Sequence, residues 1–100
     1  MEIKETAMVG TLESGDVAIT LDPNPGRGIE IELESDVKPQ FGTAIERAVR
    51  EELERFSVAE ARVRLVDKGA LDCVIRARMA CAICRCAGVP YDWTREDGGK

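Results

Sequence analysis

One hundred residues with 44% apolar content make one small domain, with no room for a second. The formal charge of -5, from 14 basic and 19 acidic side chains, has the wrong sign for gripping a nucleic-acid backbone. No histidine occurs, which excludes Ser-His and Cys-His nucleophile pairs and every His-ligated metal site.

The opening stretch, Met1-Glu2-Ile3-Lys4-Glu5, lacks the basic-then-apolar order of a secretion signal. No apolar run approaches the roughly 20 residues that span a bilayer. Together these lead us to expect a cytoplasmic protein. Thr6-Ala7-Met8-Val9-Gly10-Thr11-Leu12 and Val17-Ala18-Ile19-Thr20-Leu21 are β-type runs on either side of Glu13-Ser14-Gly15-Asp16. Such a pattern predicts a hairpin, because Gly15 supplies the positive φ that tight turns need. Asp22-Pro23-Asn24-Pro25-Gly26-Arg27-Gly28 cannot continue a strand and reads as a loop. Ile29-Glu30-Ile31-Glu32-Leu33-Glu34 then alternates strictly, a half-buried strand with one wet side.

From Pro39 the period changes. Phe41, Ile45, Ala48, Val49, Leu53 and Phe56 fall at helical spacing, with charged residues filling the opposite face. Glu46–Arg50 and Glu51–Arg55 are i,i+4 pairs in the favoured orientation. Arg62-Val63-Arg64-Leu65-Val66 predicts a fourth strand, closed by the turn Asp67-Lys68-Gly69. A second helix is expected over 71–87, starting near Asp72 and ended by Gly88 and Pro90, although residues 72–76 could also begin as a strand. The domain then covers 1–90, with 91–100 as a flexible C-terminal tail. The order β-β-β-α-β-α implies an α+β fold: a small, mainly antiparallel sheet with two helices packed on one face.

Four features carry candidate chemistry. Cys73, Cys81, Cys84 and Cys86 could in principle supply zinc or redox thiolates. Three of them lie within six residues of one expected helix, where Cys84 and Cys86 point about 200° apart. Packing as small apolar side chains is the plainer reading. The Pro25-Gly26-Arg27-Gly28 loop could cradle a phosphate or simply connect two strands. Arg76, Arg78 and Arg85 could bind an anion or form the polar stripe of a helix. Glu13, Asp16, Asp22, Glu30, Glu32, Glu34 and Asp36, with only Arg27 among them, are either a solvated strand face or a dock for basic partners. Ser14 offers an exposed primary hydroxyl at the expected hairpin tip. It has no adjacent base, so it is a poor nucleophile alone and a good acceptor if another enzyme attaches something to it.

Two blocks carry a resemblance. Met1-Glu2-Ile3-Lys4 through Gly10-Thr11-Leu12-Glu13-Ser14-Gly15-Asp16-Val17 resembles the amino-terminal signature of the citrate lyase acyl carrier proteins, or gamma chains. The likeness continues through Ile29-Glu30-Ile31, Phe41-Gly42 and Asp67-Lys68-Gly69-Ala70-Leu71-Asp72-Cys73-Val74-Ile75-Arg76-Ala77-Arg78. It covers most of the chain and fails near the tail. The resemblance implies that Ser14 bears triphosphoribosyl-dephospho-coenzyme A through a phosphodiester, its thiol holding the acetyl or citryl thioester while citrate is cleaved to acetate and oxaloacetate. It also implies an alpha chain acting as transferase, a beta chain acting as lyase, and a holo-carrier synthase that attaches the group. No catalytic residue and no metal ligand are then expected in this chain. Where the family often has a second serine after the modified one, this chain has Gly15, leaving Ser14 as the sole hydroxyl of the turn. The carrier subunit of malonate decarboxylase, a cysteine-based metal or redox protein, and an assembly subunit without a covalent group are the alternatives.

Overall fold

The computed structural model describes residues 1–35 and 39–89, with residues 39 and 40 described by their backbone. The expected tail over 91–100 and Asp36 lie outside these residues. Six elements follow in the expected order: β1 (Ala7–Val9), β2 (Val17–Asp22), β3 (Ile29–Ser35), α1 (Pro39–Arg55), β4 (Ala61–Asp67) and α2 (Asp72–Ala87). The stretch that could have begun as a strand, 72–76, is helix.

The sheet order is β1-β2-β4-β3. β1 pairs β2, and β2 pairs β4, both antiparallel. β3 pairs β4 in parallel, because α1 carries the chain back across the sheet between them, as a parallel connection requires. The sheet is therefore mainly antiparallel with one parallel edge.

Alternation decides which face is covered. Val17, Ile19 and Leu21 of β2 and Ala61, Val63 and Leu65 of β4 are buried, and the register sets them side by side: Ile19 opposite Leu65, Leu21 opposite Val63. Onto this face α1 brings Ile45, Ala48, Val49 and Leu53, and α2 brings Ile75, Met79, Ala82, Ile83 and Cys86, each set at helical spacing. α2 lies against β1 and β2, α1 lies against β3, and the two helices pack on each other. The opposite sheet face stays wet and is laced by ion pairs, Arg62–Glu32 at 2.9 Å and Arg64–Asp22 at 3.1 Å.

Both helices end by the same device. After α2, Gly88 takes φ 74; its N–H reaches Arg85 O at 3.2 Å and Val89 N–H reaches Cys84 O at 3.0 Å, a Schellman closure. After α1, Ser57 takes φ 56 in the same role, with Ser57 N–H to Glu54 O at 2.9 Å and Val58 N–H to Leu53 O at 2.8 Å.

Three details differ from the periodicity reading. Phe41 is 51% exposed at the start of α1, and Phe56 falls just beyond its last turn. Glu52, read as part of the charged face, is only 5% exposed. Arg55 bonds it at 2.8 Å, and Arg76 of α2 bonds Glu51 and Asp72 and approaches Glu52 at 3.5 Å. The charged face of α1 is thus partly an interhelical clasp. Among the described residues no helix is long and apolar enough to cross a membrane.

Candidate functional site

The hairpin between β1 and β2 is where the unusual geometry gathers. The connection runs over residues 10–16, longer than a tight turn. β1 stops at Val9 because Gly10 adopts φ 86, and a Cβ there would fall 1.8 Å from the Val17 carbonyl oxygen. Only glycine lets the chain cross that closely.

Asp16 then organises the loop. Its Oδ2 accepts from the Thr11 N–H at 3.1 Å and the Thr11 hydroxyl at 2.7 Å. Its Oδ1 accepts from the Val17 N–H at 2.8 Å. The Thr11 hydroxyl oxygen accepts in turn from the Glu13 N–H at 3.2 Å. Asp16 N–H donates to Glu13 O at 3.0 Å, closing a four-residue turn with Ser14 and Gly15 at its centre. Gly15 takes φ 85 at the third position, where a type II turn demands glycine.

The turn is also tied to the rest of the fold. Gly15 N–H donates to Lys68 O at 2.7 Å, and Lys68 N–H donates to Asp16 O at 2.9 Å. Arg78, from the second turn of α2, sets its guanidinium fork on the Asp16 carboxylate, Nε to Oδ1 at 3.2 Å and Nη2 to Oδ2 at 2.9 Å. The segment that carries Lys68 is itself held by Asp67, buried to 1% exposure. Asp67 Oδ1 accepts from Ala70 N–H and Oδ2 from the Ser35 hydroxyl, both at 3.0 Å. The Thr11 hydroxyl, the Val17 N–H and Arg78 together lower the Asp16 pKa to about 2 against the opposing effect of burial. Asp16 is therefore a fixed anion.

Ser14 sits at the exposed tip, and among the described residues no group hydrogen-bonds its hydroxyl. A Cβ built on Gly15 would meet nothing within 4 Å, so the side next to Ser14 is open. What the arrangement offers is a rigidly held, accessible hydroxyl with a clear approach.

The other sequence candidates are placed elsewhere. The blocks 10–17 and 67–78, far apart in the chain, form the two halves of this one site. Cys84 and Cys86 are buried, Cys81 is half-buried and Cys73 is exposed. Burial pushes the Cys86 thiol up to about 11, and that thiol donates to Leu21 O at 3.5 Å. Among the described residues no three or more His, Cys, Asp or Glu side chains are grouped to hold a metal ion. In the Pro-Gly-Arg-Gly loop the Gly26 N–H is taken by Glu60 at 2.8 Å. The arginines divide: Arg76 clasps α1, Arg78 holds Asp16, and Arg85 is exposed. Of the acids, Asp16, Asp22 and Glu32 are already in ion pairs, and Glu30 accepts from Asn24 at 3.0 Å. Sequence reading missed Asp16 and Arg78 as a structural pair, since nothing in a linear pattern joins positions 62 residues apart.

Comparison with known proteins gives a consistent picture. A family model described as ACP, malonate decarboxylase delta subunit, matches residues 4–86. A citrate lyase acyl carrier protein of Streptococcus equi subsp. zooepidemicus is 49% identical over 98 residues, covering 97% of this chain and 96% of that protein. The protein of the same name from Streptococcus mutans is 47% identical with the same coverage. A chain in the crystal structure of a Pseudomonas malonate decarboxylase hetero-tetramer in complex with malonate superposes with a TM-score of 0.64 at 21% identity, over 81% of this chain and 82% of that one. This last likeness is one of fold.

Proposed function

The chain belongs to the citrate lyase acyl carrier protein family, and from that premise we propose that it is the carrier subunit of a citrate lyase complex, bearing on Ser14 the phosphoribosyl-dephospho-coenzyme A unit donated by triphosphoribosyl-dephospho-coenzyme A. The observation that carries this reading is the exposed Ser14 hydroxyl on a turn that Asp16, Lys68 and Arg78 hold from behind. The residues present suit such a group. A phosphodiester needs one accessible oxygen and free space around it, and both are found at Ser14 and Gly15.

When bound, the group supplies a terminal thiol that carries the acyl unit. Attachment forms one bond, from Ser14 Oγ to the phosphorus nearest the ribose, while pyrophosphate leaves. The hydroxyl proton passes to a base of the attaching enzyme, because the chain has no histidine and Asp16 holds its proton too weakly to serve. The attaching enzyme is a holo-carrier synthase. The working partners are an alpha chain that transfers the acyl unit to citrate and a beta chain that cleaves the product, all in the cytoplasm. The carrier itself contributes a tether anchored to a firm sheet, which converts a bimolecular encounter into one at high effective concentration.

Intact mass and peptide mapping of the protein isolated from its own host test the reading. The peptide containing Ser14 is expected to carry the added mass, and Ser14→Ala to lose it without loss of folding. An unmodified Ser14 in that host overturns the proposal. A second reading, the carrier of a malonate decarboxylase, draws on the family model and on the shared fold. Identifying the acyl unit that forms on the arm when each substrate is supplied separates the two: citryl from citrate supports citrate lyase, malonyl from malonate the alternative.

A further inference from the structure

Resting on the carrier reading above, we propose that Asp16 and Arg78 are positioning residues for the modification of Ser14, their ion pair selecting the loop conformer that the attaching enzyme accepts. A connection over residues 10–16 that contains two glycines in the left-handed region has many conformers of similar energy. One side chain removes that freedom. The Asp16 carboxylate fastens Thr11 at the start of the loop and Val17 at its end, so both strands of the tip hang on a single group. That group in turn needs its own anchor, and Arg78 provides it. The planar guanidinium meets both carboxylate oxygens at once and fixes the orientation of the carboxylate as well as its position.

The Arg78 side chain is 40% exposed and that of Asp16 15%, so the carboxylate is the more covered partner of the pair, while Ser14 is exposed. Without the fork, Asp16 keeps Thr11 and Val17 but loses its tie to α2, and the backbone bonds with Lys68 are left to join the turn centred on Ser14 and Gly15 to the rest of the fold. The attaching enzyme then meets the correct conformer for a fraction of the time, and the apparent affinity for the carrier falls by that fraction. The effect belongs in KM and not in kcat.

Arg76, on the same helix two residues earlier, supplies an internal control. It makes ion pairs with Glu51 and Asp72, but these join α2 to α1 and to its own first turn, not to the loop. The test measures transfer of the phosphoribosyl-dephospho-coenzyme A unit from triphosphoribosyl-dephospho-coenzyme A to the full-length carrier by a holo-carrier synthase, followed by intact mass. Arg78→Gln and Asp16→Asn are expected to raise the KM for the carrier roughly tenfold with kcat within twofold of the original. Arg78→Lys, which restores charge without the fork, is expected to fall between. Arg76→Gln is expected to lower the melting temperature with KM unchanged. Hydrogen exchange at the Gly15 amide is expected to accelerate in Arg78→Gln and not in Arg76→Gln. Equal KM values for Arg78→Gln and the original chain overturn the inference, as does an equal rise for Arg76→Gln. A wild-type carrier that gains no mass at Ser14 overturns the carrier reading and this inference with it.

Discussion

At the scale of single residues the hairpin tip depends on three side chains and one missing one. The missing one is at Gly10, where a methyl group would overlap the Val17 carbonyl at 1.8 Å in a left-handed backbone. Gly10→Ala must therefore move the β1–β2 crossing, and we expect a loss of about 2–4 kcal/mol, measured by urea unfolding. Asp16 gives a pH signature. Its folded pKa lies near 2, below the ordinary 3.8, so its contribution is present above pH 3.8 and is lost as pH falls through about 2. Acid unfolding of Asp16→Asn followed by circular dichroism should show a smaller loss of stability between pH 4 and 2 than the original chain. An unchanged slope there would count against the geometry at Asp16. The turn at Ser14 was legible in the sequence because a serine between two β-type runs beside a glycine marks one, whereas a role for Ser14 is implied only by the family resemblance. Asp16 looked like one more surface acid because its partners Thr11, Val17 and Arg78 are assembled by the fold.

Elements were more legible than their pairings. Periodicity located the strands and α1, since each buries a single stripe or face: Ile29, Ile31 and Leu33 on β3, Ile45, Ala48, Val49 and Leu53 on α1; α2 was located by its alanine-rich composition and the glycine that ends it. The parallel pairing of β3 with β4 was not visible, because alternation states which face a strand buries and says nothing about its neighbour. Glu51 and Arg55 have the spacing of a helical pair, yet Arg76 reaches Glu51 and Arg55 bonds Glu52. An interhelical arginine with several carboxylates in reach displaces a solvent-exposed pair worth only about 0.3–0.5 kcal/mol. The end of α1 gives the prediction at this scale. Ser57 occupies the left-handed position that Gly88 occupies after α2, and a Cβ there is strained. Ser57→Gly is expected to stabilise the protein by about 1 kcal/mol, or roughly 4–8 °C in Tm. A lower Tm would mean that the Ser57 side chain has a role the backbone does not reveal.

For the molecule as a whole, the layout is one-sided. The core lies on one sheet face, the other face is wet and its charges are largely matched, and Ser14 is at one end. Thiol labelling tests this layout. Iodoacetamide should modify Cys73 at once in the native protein and reach Cys84 and Cys86 only on unfolding, as their burial requires. Rapid native labelling of Cys86 would contradict the packing of α2 against β2. The bond between Arg78 and Asp16 has one more consequence, for the order of events during synthesis. It closes a span of 62 residues, so this tie on the serine loop forms only after α2 has left the ribosome. On the proposed carrier reading, an enzyme that recognises this loop would in effect check that α2 has been made and has docked, and ribosome-stalled chains ending before α2 should be poor acceptors.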